Sequence, residues 1–256
     1  MATAADLPQS SPSRRMRWGR LKLLAGLVAV AAAAAGAAAA PPASAGKRPV
    51  VKPTQQLAEL LRSHKVVSAL RAHPSRVSTV HASRPITGAQ TVLPVIGHAT
   101  RRGVRWLRVR LPGRPNGRKG WIKRRGTVPA RTSWHVVVKT SSRRVRVYRR
   151  GRLVRSFAAV VGKPSTPTPH GRFFVEESVR MLPGSAGGPY ALASSARSNV
   201  LQEFEGGPGQ IALHGVANLG GTPGTAVSHG CVRLANRYIR WLAARVAQGA
   251  PVTITP

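Results

Sequence analysis

Cysteine is almost absent: the 256 residues hold one, Cys231, so no disulfide can form within the chain. Aromatic residues amount to 5%, too few to interleave with basic residues as stacking platforms, and no nucleic-acid motif is present. Nucleic acid is therefore not an expected partner. Acidic residues are scarcer still, six against 41 Lys and Arg, which leaves a formal net charge of +35. Such a field attracts polyanions, anionic cell-wall polymers and lipids among them. The joint enrichment of Ala, Gly, Pro and Arg also carries the mark of a GC-rich coding bias. There is no internal repeat and no Gly-rich phosphate loop. With 42% hydrophobic residues the chain still has the material for a core, which excludes disorder throughout.

What is present begins with a targeting pattern. Arg14, Arg15, Arg17, Arg20 and Lys22 precede an uncharged run over residues 23–40, and Ala43, Ser44 and Ala45 supply a small-x-small cleavage pattern. Residues 1–45 are expected to be a secretory signal peptide; the alternative is an uncleaved anchor, because the run is near the spanning minimum of about 18 residues. The expected location is the cell wall or the outer face of the cytoplasmic membrane. An unpaired thiol in an exported protein needs a reason to be there, and catalysis is the common one.

Residues 46–76 read as a linker followed by an amphipathic helix over 55–72, with Leu57, Leu60, Leu61, Val67 and Leu70 at roughly helical spacing and Pro74 ending it. Over 77–128 the texture changes to short β-like runs, 91–96, 106–111 and 120–122, around a turn cluster at 112–117. Through Trp106-Leu-Arg-Val-Arg, Pro115-Asn-Gly and Gly120-Trp-Ile this segment resembles bacterial SH3-like modules, a resemblance that implies a small barrel for wall binding or substrate positioning. Residues 129–133 read as a hinge. From 133 to 256 strands are expected at 135–139, 145–148, 153–161, 171–179, 210–214 and 252–255, with Arg150-Gly151 turning the chain and a Gly/Pro-rich loop over 182–191. One helix is expected after Cys231, capped by Asn236, with Ile239, Leu242, Ala243 and Val246 on one face and Gly249 at its end.

The chemistry gathers at His214-Gly215, twelve intervening residues, and Ser228-His229-Gly230-Cys231-Val232-Arg233. A thiol is a weak nucleophile until an imidazole draws off its proton. His214, at the end of a strand, and His229, two residues before the cysteine, are both candidate bases. None of the six carboxylates is adjacent to either histidine, which disfavours a Cys-His-Asp triad and leaves a backbone carbonyl or the Ser228 hydroxyl to orient the base. Gly230 lets the backbone turn N–H groups toward an oxyanion. Arg233, on the same side of an extended strand as Cys231, can lower the thiol pKa or hold a substrate carboxylate. A structural cysteine fits poorly between such polar neighbours. A zinc site from His214, His229 and Cys231 lacks a fourth ligand, so neither metal nor cofactor is expected.

This pattern, together with Thr166-Pro-Thr168-Pro-His170-Gly171-Arg-Phe173 upstream, resembles the signature of the YkuD-type L,D-transpeptidases over residues 133–256. The resemblance implies a mostly β fold, an SH3-like barrel followed by a β-sandwich catalytic domain with one C-terminal helix. It implies Cys231 as nucleophile, His214 rather than His229 as its base, the Gly215 carbonyl as orienter, and Ser228, His229, Gly230 and Arg233 as supporting or substrate-contacting groups. It further implies peptidoglycan stem peptides as substrates, cross-linked through a thioester with loss of D-Ala, and carbapenem β-lactams as covalent inhibitors. Water in place of the acceptor amine would make the enzyme an L,D-carboxypeptidase, and a non-catalytic wall-binding protein is the remaining alternative. One departure is His170, at the variable place in the Thr-Pro motif, which adds a titratable group. The His-then-Cys order argues against NlpC/P60 peptidases, and the short separation argues against sortases.

Overall fold

Alternation of buried and exposed side chains along short runs makes this a protein of strands, and the computed structural model describes it over residues 49–71, 76–204, 206–216 and 220–256. The expected signal segment lies outside the described residues. Seven strands form an antiparallel N-terminal sheet: β1 (Gln55–Leu60), β2 (His64–Val67), β3 (Arg76–Val80), β4 (Val92–Arg101), β5 (Val104–Arg110), β6 (Lys119–Lys123) and β7 (Thr127–Thr132). Their spatial order is β3-β2-β6-β5-β4-β1-β7.

Two expectations are corrected here. The amphipathic helix over 55–72 is instead β1 and β2. Gln, Leu, Ala and Glu are good helix formers, but β1 pairs with β4 on one side and β7 on the other, and that pairing overrides propensity. Ala58 and Leu60 enter the N-terminal core, Leu57 is buried as well, and Leu61, assigned to the apolar face of the helix, is exposed. A strand covered on both faces has apolar spacing that mimics a helix. The hinge over 129–133 is likewise mostly strand, because β7 pairs along the whole of β1. Pro129 is tolerated there because β7 is an edge strand. The sheet thus runs from 55 to 132, beyond the expected 77–128.

The second sheet holds β8 (Trp134–Lys139), β9 (Arg144–Arg149), β10 (Arg152–Ala158), β12 (Gly171–Arg180), β13 (Tyr190–Arg197), β14 (Gln210–His214), β16 (Val232–Arg233) and β17 (Pro251–Thr255), while β11 (Val161–Gly162) and β15 (Ala226–Ser228) pair in parallel apart from it. Its order is β10-β9-β8-β17-β12-β13-β14-β16. Arg150 and Gly151, both at positive φ, make the β9–β10 turn as expected. The Ala/Ser-rich β13 carries too weak a pattern to be foreseen. The one helix among the described residues, α1 (Asn236–Ala243), buries Ile239 and Leu242 in the core and stacks Tyr238 on Phe157 at 4.4 Å. It ends earlier than expected, at Ala244, where Arg245 and Val246 both donate to the Leu242 carbonyl.

The two sheets share packing. Phe174 of β12 is buried in the core of the N-terminal sheet. Gly249 lies so close to β4 that a Cβ there would meet Val92 Cγ1 at 2.7 Å.

His135, buried in β8 and hydrogen-bonded to Thr253 Oγ1 at 2.8 Å, titrates at about 4, lowered first by burial and second by Arg172. The unfolded chain takes up this proton near pH 6.5 and the folded chain only near 4. Its contribution is therefore complete above pH 6.5 and lost as the pH falls toward 4, at most on the order of 3 kcal/mol. The melting temperature of wild type should drop more steeply between pH 6.5 and 4 than that of His135→Gln. Parallel profiles would remove His135 as a cause of acid lability.

Candidate active site

The upstream Thr-Pro-Thr motif acts as a brace. Thr166 Oγ1 and the Lys163 N–H donate to the Ser228 carbonyl at 3.1 and 3.0 Å. Thr168 Oγ1 donates to the Gly230 carbonyl at 2.8 Å and accepts the Gly162 N–H at 2.9 Å. The turn they hold is closed from within: Ser228 Oγ donates to the Cys231 carbonyl at 2.6 Å and accepts the Gly230 N–H at 3.1 Å. Gly230 sits at φ +118°, where a Cβ would meet Ile211 Cδ1 at 2.9 Å, so the turn requires glycine. One expectation changes: Ser228 holds the turn rather than a histidine. The Gly230 N–H is committed to Ser228.

Cys231 emerges from this turn half-buried, with the Ala212 N–H directed at its Sγ at 3.4 Å. The sulfur also faces the Gln210 carbonyl at 3.9 Å. Ala212 belongs to β14, which runs parallel to β16 with His214 opposite Arg233. His214 stands two residues beyond Ala212, and the period of two sends both side chains to one face. Its Nδ1 meets the Gly215 carbonyl at 2.7 Å. A carbonyl only accepts, so Nδ1 carries a proton in this contact. The carbonyl in contact with the ring is the one that the family resemblance implies as orienter.

Gly215 is itself pinned. The Val216 N–H donates to Asn236 Oδ1 at 3.0 Å, and a Cβ on Gly188 would meet Gly215 Cα at 2.8 Å. Asn236 therefore does not cap α1; it is the first helical residue, the N-cap is Ala235 without a side-chain bond, and the amide serves the segment after His214 instead. The loop between β12 and β13 lays Gly187 against the His214 ring.

His214, His229, Cys231 and Arg233 all line one cleft of about 700 Å³. His229 is exposed and packs its ring on Phe204 at 5.5 Å. The period-of-two argument fails for it, because β15 ends at Ser228, β16 begins at Val232, and Gly230 turns the chain between them. Arg233 is buried; its Nη1 donates to the Gly220 carbonyl at 2.6 Å, while Nε has no hydrogen-bond partner among the described residues. His170 bonds Thr140 Oγ1 at 2.9 Å. Among the described residues no group of three or more His, Cys, Asp or Glu converges as a metal site.

Sequence reasoning missed a charged cluster beside the cleft. Glu176 and Glu177 of β12, both fully buried, are two of only six carboxylates in the chain, and that adjacency was the available signal. Glu176 pairs with Arg84 of the N-terminal sheet and, at 3.1 Å, with Arg197. Glu177 accepts both the N–H and the hydroxyl of Thr87 at 2.9 Å. Burial lowers the pKa of Arg84, and that of Arg197 to about 10, against the opposing pull of Glu177.

Residues 133–254 match the YkuD family, described as an L,D-transpeptidase catalytic domain. The YkuD protein of Bacillus licheniformis is 34% identical over 135 residues, 53% of this chain and 71% of that protein. Among solved structures, LD transpeptidase LdtMt1 in complex with imipenem aligns over 65% of this chain and 92% of that one, at 21% identity and a TM-score of 0.42. L,D-transpeptidase 3 from Mycobacterium tuberculosis, in complex with a faropenem-derived adduct, aligns over 65% of this chain and 91% of that one, at 16% identity and a TM-score of 0.42.

Proposed function

Because the chain belongs to the YkuD family of L,D-transpeptidases, we propose that it cross-links peptidoglycan stem peptides through a thioester on Cys231, with His214 as the base. The observation that carries this reading is the His214 ring held at Nδ1 by the Gly215 carbonyl, in the cleft that also holds the Cys231 thiol. In the first half-reaction Nε2 takes the thiol proton and Sγ attacks the carbonyl carbon on the L-centre of the third stem residue. The tetrahedral intermediate collapses, the C–N bond breaks, and Nε2 returns the proton to the departing D-Ala amine. In the second, a side-chain amine of another stem peptide attacks the thioester, loses its proton to Nε2 and releases Cys231. Arg233, a guanidinium lining the same cleft, is suited to a carboxylate of the stem peptide.

The same thiol would be acylated by imipenem, as a strained amide presented to the same nucleophile. The basic and apolar stretch over residues 14–40 supports an exported enzyme at the cell wall, and the N-terminal sheet, almost free of acidic residues, supports contact with anionic wall polymers.

The test is mass spectrometry of purified protein incubated with a disaccharide-tetrapeptide. A cross-linked dimer that has lost one D-Ala is the expected product. A tripeptide monomer would make the enzyme an L,D-carboxypeptidase, with water resolving the same thioester. Unchanged substrate together with no imipenem adduct would overturn both.

A further inference from the structure

The cleft around Cys231 is not built by the C-terminal sheet alone. Pro85 and Ile86, from the segment between β3 and β4 of the N-terminal sheet, line it, and Ile86 is 58% exposed. The neighbouring Arg84 and Thr87 fix that segment onto Glu176 and Glu177. A second N-terminal loop, between β5 and β6, grips the opposite part of the wall. Arg114 spends its guanidinium on one loop of the C-terminal part: Nε donates to Gln202 Oε1 at 2.8 Å, Nη2 to the Ser198 and Leu201 carbonyls at 2.8 Å each, and Nη1 to the Pro208 carbonyl at 3.3 Å. Asn116 bonds the backbone of Arg197 in both directions, at 2.7 and 2.8 Å. The gripped loop carries Leu201 and Phe204 into the cleft, and Phe204 packs on His229.

We infer that the N-terminal sheet is part of the acyl-donor site: Ile86 is a specificity-determining wall residue, and Arg114 is a positioning residue that sets the Leu201–Phe204 wall. The inference rests on the proposed thioester chemistry for the identity of the ligand, a stem peptide. Its aliphatic groups lie along Ile86, Leu201 and Phe204, while its carboxylates turn to the arginine side of the cleft. A four-acceptor grip needs the planar fork of arginine, and a lysine ammonium cannot reproduce it. Neither Ile86 nor Arg114 enters the proton transfers, so they act on peptide binding and leave the reactivity of the thiol alone.

The experiment measures calorimetric binding of the disaccharide-tetrapeptide to Cys231→Ala protein, alone and combined with Arg114→Ala, Arg114→Lys or Ile86→Ser. In parallel it measures iodoacetamide alkylation of Cys231 in the same three variants with the cysteine intact. Arg114→Ala should weaken binding about tenfold, Arg114→Lys should recover less than half of that on the logarithmic scale, and Ile86→Ser should weaken binding about threefold. Alkylation rates should stay within about twofold of wild type, because a small reagent does not use the wall. Ile86 is exposed and makes no polar contact, so its variant keeps the fold and the arm remains decisive if Arg114→Ala is unstable. Unchanged affinity in Arg114→Ala and Ile86→Ser, or no measurable binding by Cys231→Ala protein, would overturn the inference. So would an alkylation rate that falls in step with affinity, since Arg114 would then be a general scaffold residue. Failure of the proposed function reads out separately, as wild-type protein that forms no imipenem adduct, and the binding arm still decides this inference.

Discussion

Cys231→Ala protein should fold, bind a stem peptide and acquire no mass from imipenem, whereas His214→Ala should acquire the full adduct slowly. The two variants separate nucleophile from base. Alanine at 231 leaves the turn intact, because every bond that shapes it is made by Ser228, Thr166, Thr168 and backbone groups rather than by the sulfur. With no sulfur there is no acyl acceptor, and the loss is total. Alanine at 214 removes the proton acceptor and keeps the thiol, with the Ala212 N–H still aimed at it. General-base assistance is worth about 10²–10⁴ in rate, and the deficit should sit in that range at pH 7. A free thiol ionises near pH 8.5, so solvent hydroxide takes over part of the work at pH 9 and the deficit should shrink there. Intact-mass time courses at both pH values check this. Labelling of Cys231→Ala, or wild-type speed in His214→Ala, would remove the assignment in question.

Glu176→Ala should destabilise the protein by about 3–5 kcal/mol, the range for breaking one side of a buried ion pair. Glu176 is fully buried and lies between Arg84 and Arg197. Removing it leaves two guanidinium groups in a space where burial already disfavours their charge, with Glu177 alone to balance them. Glu176→Gln keeps the volume and one acceptor and should cost less. Because Arg84 comes from the N-terminal sheet and Glu176 from β12, the variant also weakens the seam between the two. Urea unfolding should therefore show a lower midpoint and, if the seam fails first, a split transition. A shift below about 1 kcal/mol would mean that the cluster is solvated and contributes little.

The centre of the site was legible because its chemistry is local. The His214 and Cys231 motifs, the glycine at the turn and the carbonyl after the histidine are all fixed within a few residues. Most of the longer strands from Trp134 onward, β13 excepted, were legible for a similar reason, since alternation over four to eight residues survives without knowledge of the partner strand. What could not be read was set at long range. Gln55–Leu60 has a helix-forming composition, and only β4 and β7, some 35 to 75 residues further on, make it a strand. Asn236 looks like a cap until Val216 offers it an N–H across the fold. His229 shares a period with Cys231 on paper, and one glycine at positive φ cancels it. Arg84 and Arg114 were two arginines among many in a chain with 41 Lys and Arg, and nothing in their neighbourhoods marked them as parts of the cleft.

Phe174 bears on how this enzyme could be taken apart or recombined. It is rooted in a strand of the C-terminal sheet, yet its ring belongs to the N-terminal core. A cut near Ser133 would leave a hole in one half and a bare aromatic ring beside two uncovered carboxylates in the other. The match to the family begins at residue 133, but the core packing does not divide there. Grafting this catalytic half onto another module would require a replacement for the pocket that Phe174 fills.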